Sequence, residues 1–171
     1  MNSDEADKWL EAMKDEYNSL LENQTWEVVP LPPGKTPISC EWVYKVKRNS
    51  DGSIARYKAR LVARGFSQRF GVDFTETFSP VVRLESVRIL LSLVTRMGLQ
   101  TVHFDVKTAF LHGNLSEEIY MHEPQGFESS QNRVCKLKKS LYGLKQASRT
   151  FNECLVAFLK HFDLKPLTSD S

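Results

Sequence analysis

A chain of 171 residues with 41% hydrophobic and 26% charged side chains can bury a full core, as one domain or as two lobes sharing an edge, and is not disordered. It has no apolar run near membrane-span length and no basic-then-apolar leader, so neither a membrane nor a secreted protein is expected. The net charge of +2 hides a partition: residues 1–29 carry a net −6, residues 45–70 a net +7 and residues 133–149 a net +6. Two basic blocks in a nearly neutral chain suit a polyanion-binding surface, although the same lysines and arginines could merely solvate exposed strands.

In chain order, Leu10, Met13, Tyr17, Leu20 and Leu21 recur at helical spacing after Asn2-Ser3-Asp4-Glu5, a start suited to capping. Gln24 to Val29 reads as extended, and Pro30, Pro32, Pro33, Gly34 and Pro37 form a stiff linker. Glu41 to Arg48 and Ile54 to Ala63 flank Asn49-Ser50-Asp51-Gly52, the clearest hairpin in the chain, and both arms carry bases. Gly65 to Pro80 is irregular. A helix is predicted over Leu84–Met97, with Val87, Leu90, Leu91 and Val94 as its apolar stripe and Gly98 as its C-cap.

A strand is predicted from Leu99 to Asp105, then a turn region through Gly113-Asn114 and a short strand at Ile119-Tyr120-Met121. Gln125 to Asn132 is a loop and Val134 to Leu137 a further strand. The last helix runs from Lys145 to Phe162, with Ala147, Phe151, Cys154, Leu155, Phe158 and Phe162 on one face. This order is mixed α+β rather than alternating βαβ. Cys40, Cys135 and Cys154 fit neither a disulfide framework nor a zinc knuckle, which points to a reducing, intracellular setting.

Four features could carry chemistry. Asp105 closes a predicted strand, where a carboxylate followed by the Val106 carbonyl could hold Mg²⁺ on nucleotide phosphates, or simply cap the next turn. Phe110, five residues on, could test a sugar for its 2′-hydroxyl, or could be core beside Leu111. On the second hairpin arm Lys58, Arg60 and Arg64 share one strand face by alternation; they could grip a triphosphate or template backbone, or deter edge pairing. Gly143, in Lys139-Ser140-Leu141-Tyr142-Gly143-Leu144-Lys145-Gln146-Ala147, would let a nucleotide approach the backbone before a helix N-terminus, or is an ordinary loop-to-helix junction. The four histidines show no metal spacing.

Ordered along the chain, these segments resemble the reverse transcriptase of Ty1/copia-type retrotransposons, part of the Pol polyprotein. The resemblance is carried by Trp9 and Ala12, Asn23 to Pro30, Trp42-Val43-Tyr44-Lys45-Val46-Lys47 and Arg56 to Phe66. It continues through Glu76-Thr77-Phe78-Ser79-Pro80-Val81, Phe104 to Gly113, Ile119-Tyr120-Met121 and Ser140 to Ala147. It implies an RNA-directed DNA polymerase of right-hand fold, here fingers plus an incomplete palm. The implied division is 1–37 N-terminal helix and linker, 38–98 fingers, 99–124 palm strand and turn, 125–144 fingers return and 145–171 palm helix.

By the same resemblance Asp105 is the catalytic and metal-binding aspartate, with the Val106 carbonyl beside it. Lys58, Arg60, Phe110, Tyr142 and Gly143 bind nucleotide, with Phe110 as sugar gate, while Arg64 and Lys145 bind nucleic acid. The implied cofactor is Mg²⁺ or Mn²⁺ in the complete enzyme. The implied partners are template with primer, deoxynucleoside triphosphates and the remaining Pol regions (integrase, RNase H), with no membrane. The setting would be cytoplasmic, in association with virus-like particles.

Three departures accompany the match. The family's Tyr-x-Asp-Asp hairpin with its two further aspartates does not occur in these residues, and Asp170 is not a substitute for it. Ser148-Arg149-Thr150-Phe151 stands where the family has proline, arginine and then tryptophan, with Phe151 expected to keep the packing. Thumb, connection and RNase H regions do not occur either. The 171 residues are therefore expected to be inactive alone and prone to association. The alternative reading is a non-catalytic nucleic-acid-binding fragment or a relic of a decayed element.

Overall fold

The structure is a computed structural model that describes residues 5–129 and 132–166; residues 2–4 of the predicted capping run, all but Glu5, and Asp170 lie outside them. Helix α1 (Ala6–Glu22) leads into β1 (Trp26–Pro30), followed by the hairpin β2 (Cys40–Arg48) and β3 (Ile54–Ala63). Helix α2 (Leu84–Met97), short strands β4 (Tyr120–His122) and β5 (Arg133–Leu137), and helix α3 (Ala147–Lys160) complete the order. The described residues are mixed α and β with two small sheets: an antiparallel β1-β5-β4 and the β2-β3 ribbon. Among the described residues no helix is long and apolar enough to cross a membrane.

The hairpin forms as the Asp-Gly signal predicts. Gly52 takes φ +84°, Asn49 and Ser53 close the turn, and the Asp51 carboxylate accepts from the Ser53 N–H at 2.8 Å. Ile38 joins the ribbon to the sheet by bridging Met121: its N–H donates to the Tyr120 carbonyl at 2.8 Å and its carbonyl accepts from His122 N–H at 2.9 Å. The core lies between α1, β3 and the three-stranded sheet, where Leu20, Leu61, Ile119, Met121, Cys135 and Leu141 are buried.

One ionic tie fastens the proline-rich linker to that sheet. Lys35 Nζ lies 2.6 Å and Lys136 Nζ 3.2 Å from the Glu118 carboxylate, which also accepts from the Tyr120 hydroxyl at 2.8 Å. The Lys35 hydrogen bond, then Tyr120 and Lys136, bring the Glu118 pKa from 4.5 down to about 2. A depressed carboxylate stabilises the fold above its unfolded value and loses that contribution as pH falls toward its folded value. Glu118→Gln should therefore flatten the decline of the thermal midpoint between about pH 4.5 and 2. An unchanged slope over that window would show the tie is idle.

Three sequence expectations need correction. The predicted strand Leu99–Asp105 is not formed: a strand needs a partner, and among the described residues none pairs with this segment. Helix α2 has the predicted bounds, and Gly98 caps it at φ +63°. None of its residues is buried, however: Val87 and Val94 are half-buried, Leu90 and Leu91 are exposed, and Phe104 in the following segment is 81% exposed. In α1, Leu10 and Leu21 face outward, whereas Met13, Tyr17 and Leu20 of the predicted stripe pack inward, joined by Trp9, Ala12 and Glu16.

Candidate functional site

Alternation along β3 sends Arg56, Lys58 and Arg60 to one side. There they line a cavity of about 400 Å³ together with Glu16, Asp105, Val106, Lys107, Thr108, Leu111 and Tyr142. Residues far apart in sequence thus converge. Buried Leu111 anchors the Asp105 loop through the 3₁₀ turn Ala109–His112, its N–H donating to the Thr108 carbonyl at 2.8 Å. Thr108 takes φ +51°, an uncommon conformation for a β-branched residue, at the rim beside Asp105.

The far wall is Tyr142. Its ring carries the Arg60 guanidinium at 5.0 Å, a cation–π contact that fixes the charge over the cavity. Phe110 does not line this cavity. It packs edge-on against Tyr142 at 4.7 Å and Phe151 at 6.3 Å, and faces an adjoining space of about 500 Å³ lined by Thr77, Pro80, Val81 and Ser148.

Gly143 takes φ +90° and presses on the end of β3, where the Ala63 N–H donates to the Tyr142 carbonyl at 2.7 Å. The close backbone approach it permits is to Ala63 and Val62. Lys145 sits with its ammonium 4.5 Å from the Phe74 ring centre.

Arg64 departs from the expected shared face. β3 ends at Ala63, and ψ of 74° turns Arg64 into the 3₁₀ turn Gly65–Ser67. Glu41 then holds its guanidinium at 2.8 Å, in a separate cavity with Cys40, Trp42 and Leu61. Alternation fails where the strand stops.

Burial, then Arg60 and Arg56, lower the Lys58 pKa, while burial raises that of Glu16 even though the Leu61 N–H, Lys58 and Arg60 favour its charged form. Arg56, Lys107 and Glu16 are the charged cavity residues that sequence reasoning left out. Arg56 had a signal, since it shares the parity of Lys58 and Arg60. Glu16 also had one, as an acid within an apolar helical stripe, whereas Lys107 had none.

A second cluster supports the loop after β3. Buried Gln68 donates to the Gln146 side-chain oxygen at 3.0 Å, Gln146 donates to the Asp73 carbonyl at 2.9 Å, and the Lys145 N–H donates to the Gln68 side-chain oxygen at 2.8 Å. A satisfied buried amide network of this kind fixes a loop firmly.

Comparison with known proteins extends this picture. The chain is 51% identical over 158 residues to the "Retrovirus-related Pol polyprotein from transposon TNT 1-94" of Nicotiana tabacum, covering 91% of the chain and 12% of that protein. It is 47% identical over 148 residues to the corresponding polyprotein from transposon RE1 of Arabidopsis thaliana, covering 85% and 10%. It is 31% identical over 161 residues to the truncated transposon Ty1-A Gag-Pol polyprotein of Saccharomyces cerevisiae, covering 91% and 13%. The chain thus spans about a tenth of the length of these relatives. No solved structure gives a significant match. A family model described as "Reverse transcriptase (RNA-dependent DNA polymerase)" matches residues 23–171, which include every side chain of the basic cavity except Glu16, and the chain belongs to that family.

Proposed function

We propose that the basic cavity seats the triphosphate of a deoxynucleoside triphosphate during RNA-directed DNA synthesis by the whole Pol protein. The carrying observation is the convergence of Arg56, Lys58, Arg60 and Lys107 on one space that also holds Asp105. Guanidinium and ammonium groups make charge-assisted hydrogen bonds to phosphate oxygens, and Arg60, held over Tyr142, is oriented before the ligand arrives. The sugar-gate role falls to Phe110, whose support is its edge-on contact with the Tyr142 ring that lines the cavity. In this reading the chain forms the fingers (38–98 and 125–144) and part of the palm (99–124 and 145–171) of a right-hand polymerase, working inside the cell. Arg64, in the separate cavity beside Glu41, and Lys145, over the Phe74 ring, are the contacts for template and primer, and integrase and RNase H are further regions of the same polyprotein.

A divalent ion, Mg²⁺ or Mn²⁺, is implied by the family. Asp105 and the Val106 carbonyl supply hard oxygen donors, but among the described residues no three His, Cys, Asp or Glu side chains come together to hold a metal. The carboxylate sharing the cavity, Glu16, is set among Lys58 and Arg60. The described residues therefore do not complete a two-ion site. This favours a second reading for the 171-residue polypeptide by itself: it binds nucleotide and nucleic acid without extending a primer.

The test is equilibrium binding of a fluorescent deoxynucleoside triphosphate and of a labelled template–primer to the chain. Expected are displacement of the nucleotide by inorganic triphosphate and a template–primer affinity that falls steeply with salt. Nucleotide binding that inorganic triphosphate cannot displace would remove the phosphate assignment.

A further inference from the structure

Helix α1 presents Trp9, Ala12, Glu16 and Leu20 to the hairpin, at the three- and four-residue spacing of one helical face. Trp9 packs edge-on against Tyr44 and Tyr57 at 5.2 and 4.6 Å, while Ala12 and Leu20 are buried. Glu16 is thus a charged member of a packed stripe, where an apolar side chain would satisfy the pattern and a carboxylate gives up hydration. Something must offset that cost.

The offset comes from the cavity. Facing Glu16 are Arg56, Tyr57, Lys58 and Arg60 of β3, Asp105 and Lys107 of the loop before Leu111, and Tyr142; Asp15 adjoins it on its own helix. The Leu61 N–H also favours the carboxylate. Leu61 lies two residues before Ala63, whose N–H meets the Tyr142 carbonyl, so both N–H groups point to the edge of β3 away from β2. Glu16 therefore places a negative group on the strand edge and among the bases that the proposed function gives to phosphate.

We propose that Glu16 is a built-in anion that satisfies the basic cavity until a polyphosphate displaces it. The inference rests on the phosphate reading of that cavity. It explains why an acid sits in an apolar stripe, and why its charge is compensated by the groups a triphosphate would use. Once the ligand's charge takes over Lys58 and Arg60, the Glu16 carboxylate is left partly buried beside an anion. It then takes a proton from the buffer, so that binding is coupled to proton uptake.

The experiment is calorimetric titration of the 171-residue chain with inorganic triphosphate, in two buffers of different ionisation heat. Near neutral pH, Glu16→Gln should bind about fivefold more tightly than the wild type, because one like charge is removed next to the ligand. The wild type should take up more protons on binding than the variant does. The affinity gap should close as pH falls, because the raised pKa makes the wild-type side chain neutral at the acid end. Glu16→Leu, which completes the apolar stripe, is the second variant should the amide fold poorly, and it should also bind more tightly.

Equal or weaker binding by folded variants, with unchanged proton uptake, would make Glu16 a structural cap only. If Lys58→Ala weakens triphosphate binding while Glu16→Gln changes nothing, the gate fails and the phosphate cavity stands. If neither the wild type nor the variants bind triphosphate while folded, both fail together.

Discussion

Gly143→Ala is expected to destabilise the chain by about 3–5 kcal/mol, the sum of backbone strain and forced overlap. Gly143 takes φ +90°, where an L side chain is strained, and an added Cβ would fall far inside contact distance of the Ala63 carbonyl oxygen and 2.7 Å from Val62 Cγ1. The Ala63 backbone is not free to yield. Ala63 is buried and bonded to the Tyr142 carbonyl at 2.7 Å, and a Cβ added at Gly65 would meet the Gly143 carbonyl oxygen just as closely. Domains of this size hold only about 5–15 kcal/mol in total, so the variant should be largely unfolded in moderate urea. Gly34→Ala is the control: its φ is +76°, but an added Cβ has nothing within 4 Å, so about 1 kcal/mol is expected. Urea titration followed by tryptophan fluorescence reads both variants. A Gly143→Ala cost no larger than that of Gly34→Ala would show the crossing of residues 141–144 over β3 to be loose.

That crossing also shows what the sequence could and could not announce. Turn chemistry is local, so Asp51-Gly52 and the Gly98 cap were legible, and with them the hairpin and α2. Strand alternation was legible for Lys58 and Arg60 and failed for Arg64, because periodicity does not say where a strand stops. The Leu99–Asp105 segment has a strand's composition, but pairing is a property of two segments, and among the described residues its partner is missing. Convergence was the least legible. Glu16, Lys107 and Tyr142 meet only through the packing of α1 on β3 and of residues 140–147 on its end. The demand on Gly143 illustrates this: the sequence placed a permissive residue before a helix, and the structure shows the neighbour that requires it to be another part of the same chain.

The Lys58→Ala/Arg60→Ala double variant should bind a deoxynucleoside triphosphate about 100-fold more weakly, as two charge-assisted contacts of about 1.5 kcal/mol each are lost. The change should cost little stability, since both side chains are only half-buried at the cavity wall and Ala59 and Leu61 make the core contacts of β3. A general drop in positive charge would also weaken binding, so the specific effect needs a matched control. Arg64→Ala provides one. It removes a base from the same segment, but that base is paired with Glu41 in a different cavity and lies off the face of Lys58 and Arg60. Nucleotide affinity should stay within about twofold for Arg64→Ala, because a screened charge on the far side contributes little at physiological salt. Template–primer affinity should fall in both variants. If Arg64→Ala costs as much nucleotide affinity as the double variant, diffuse charge rather than the cavity holds the triphosphate. If the double variant retains affinity within threefold of the wild type, the triphosphate is held elsewhere and the convergence at Asp105 is not its site.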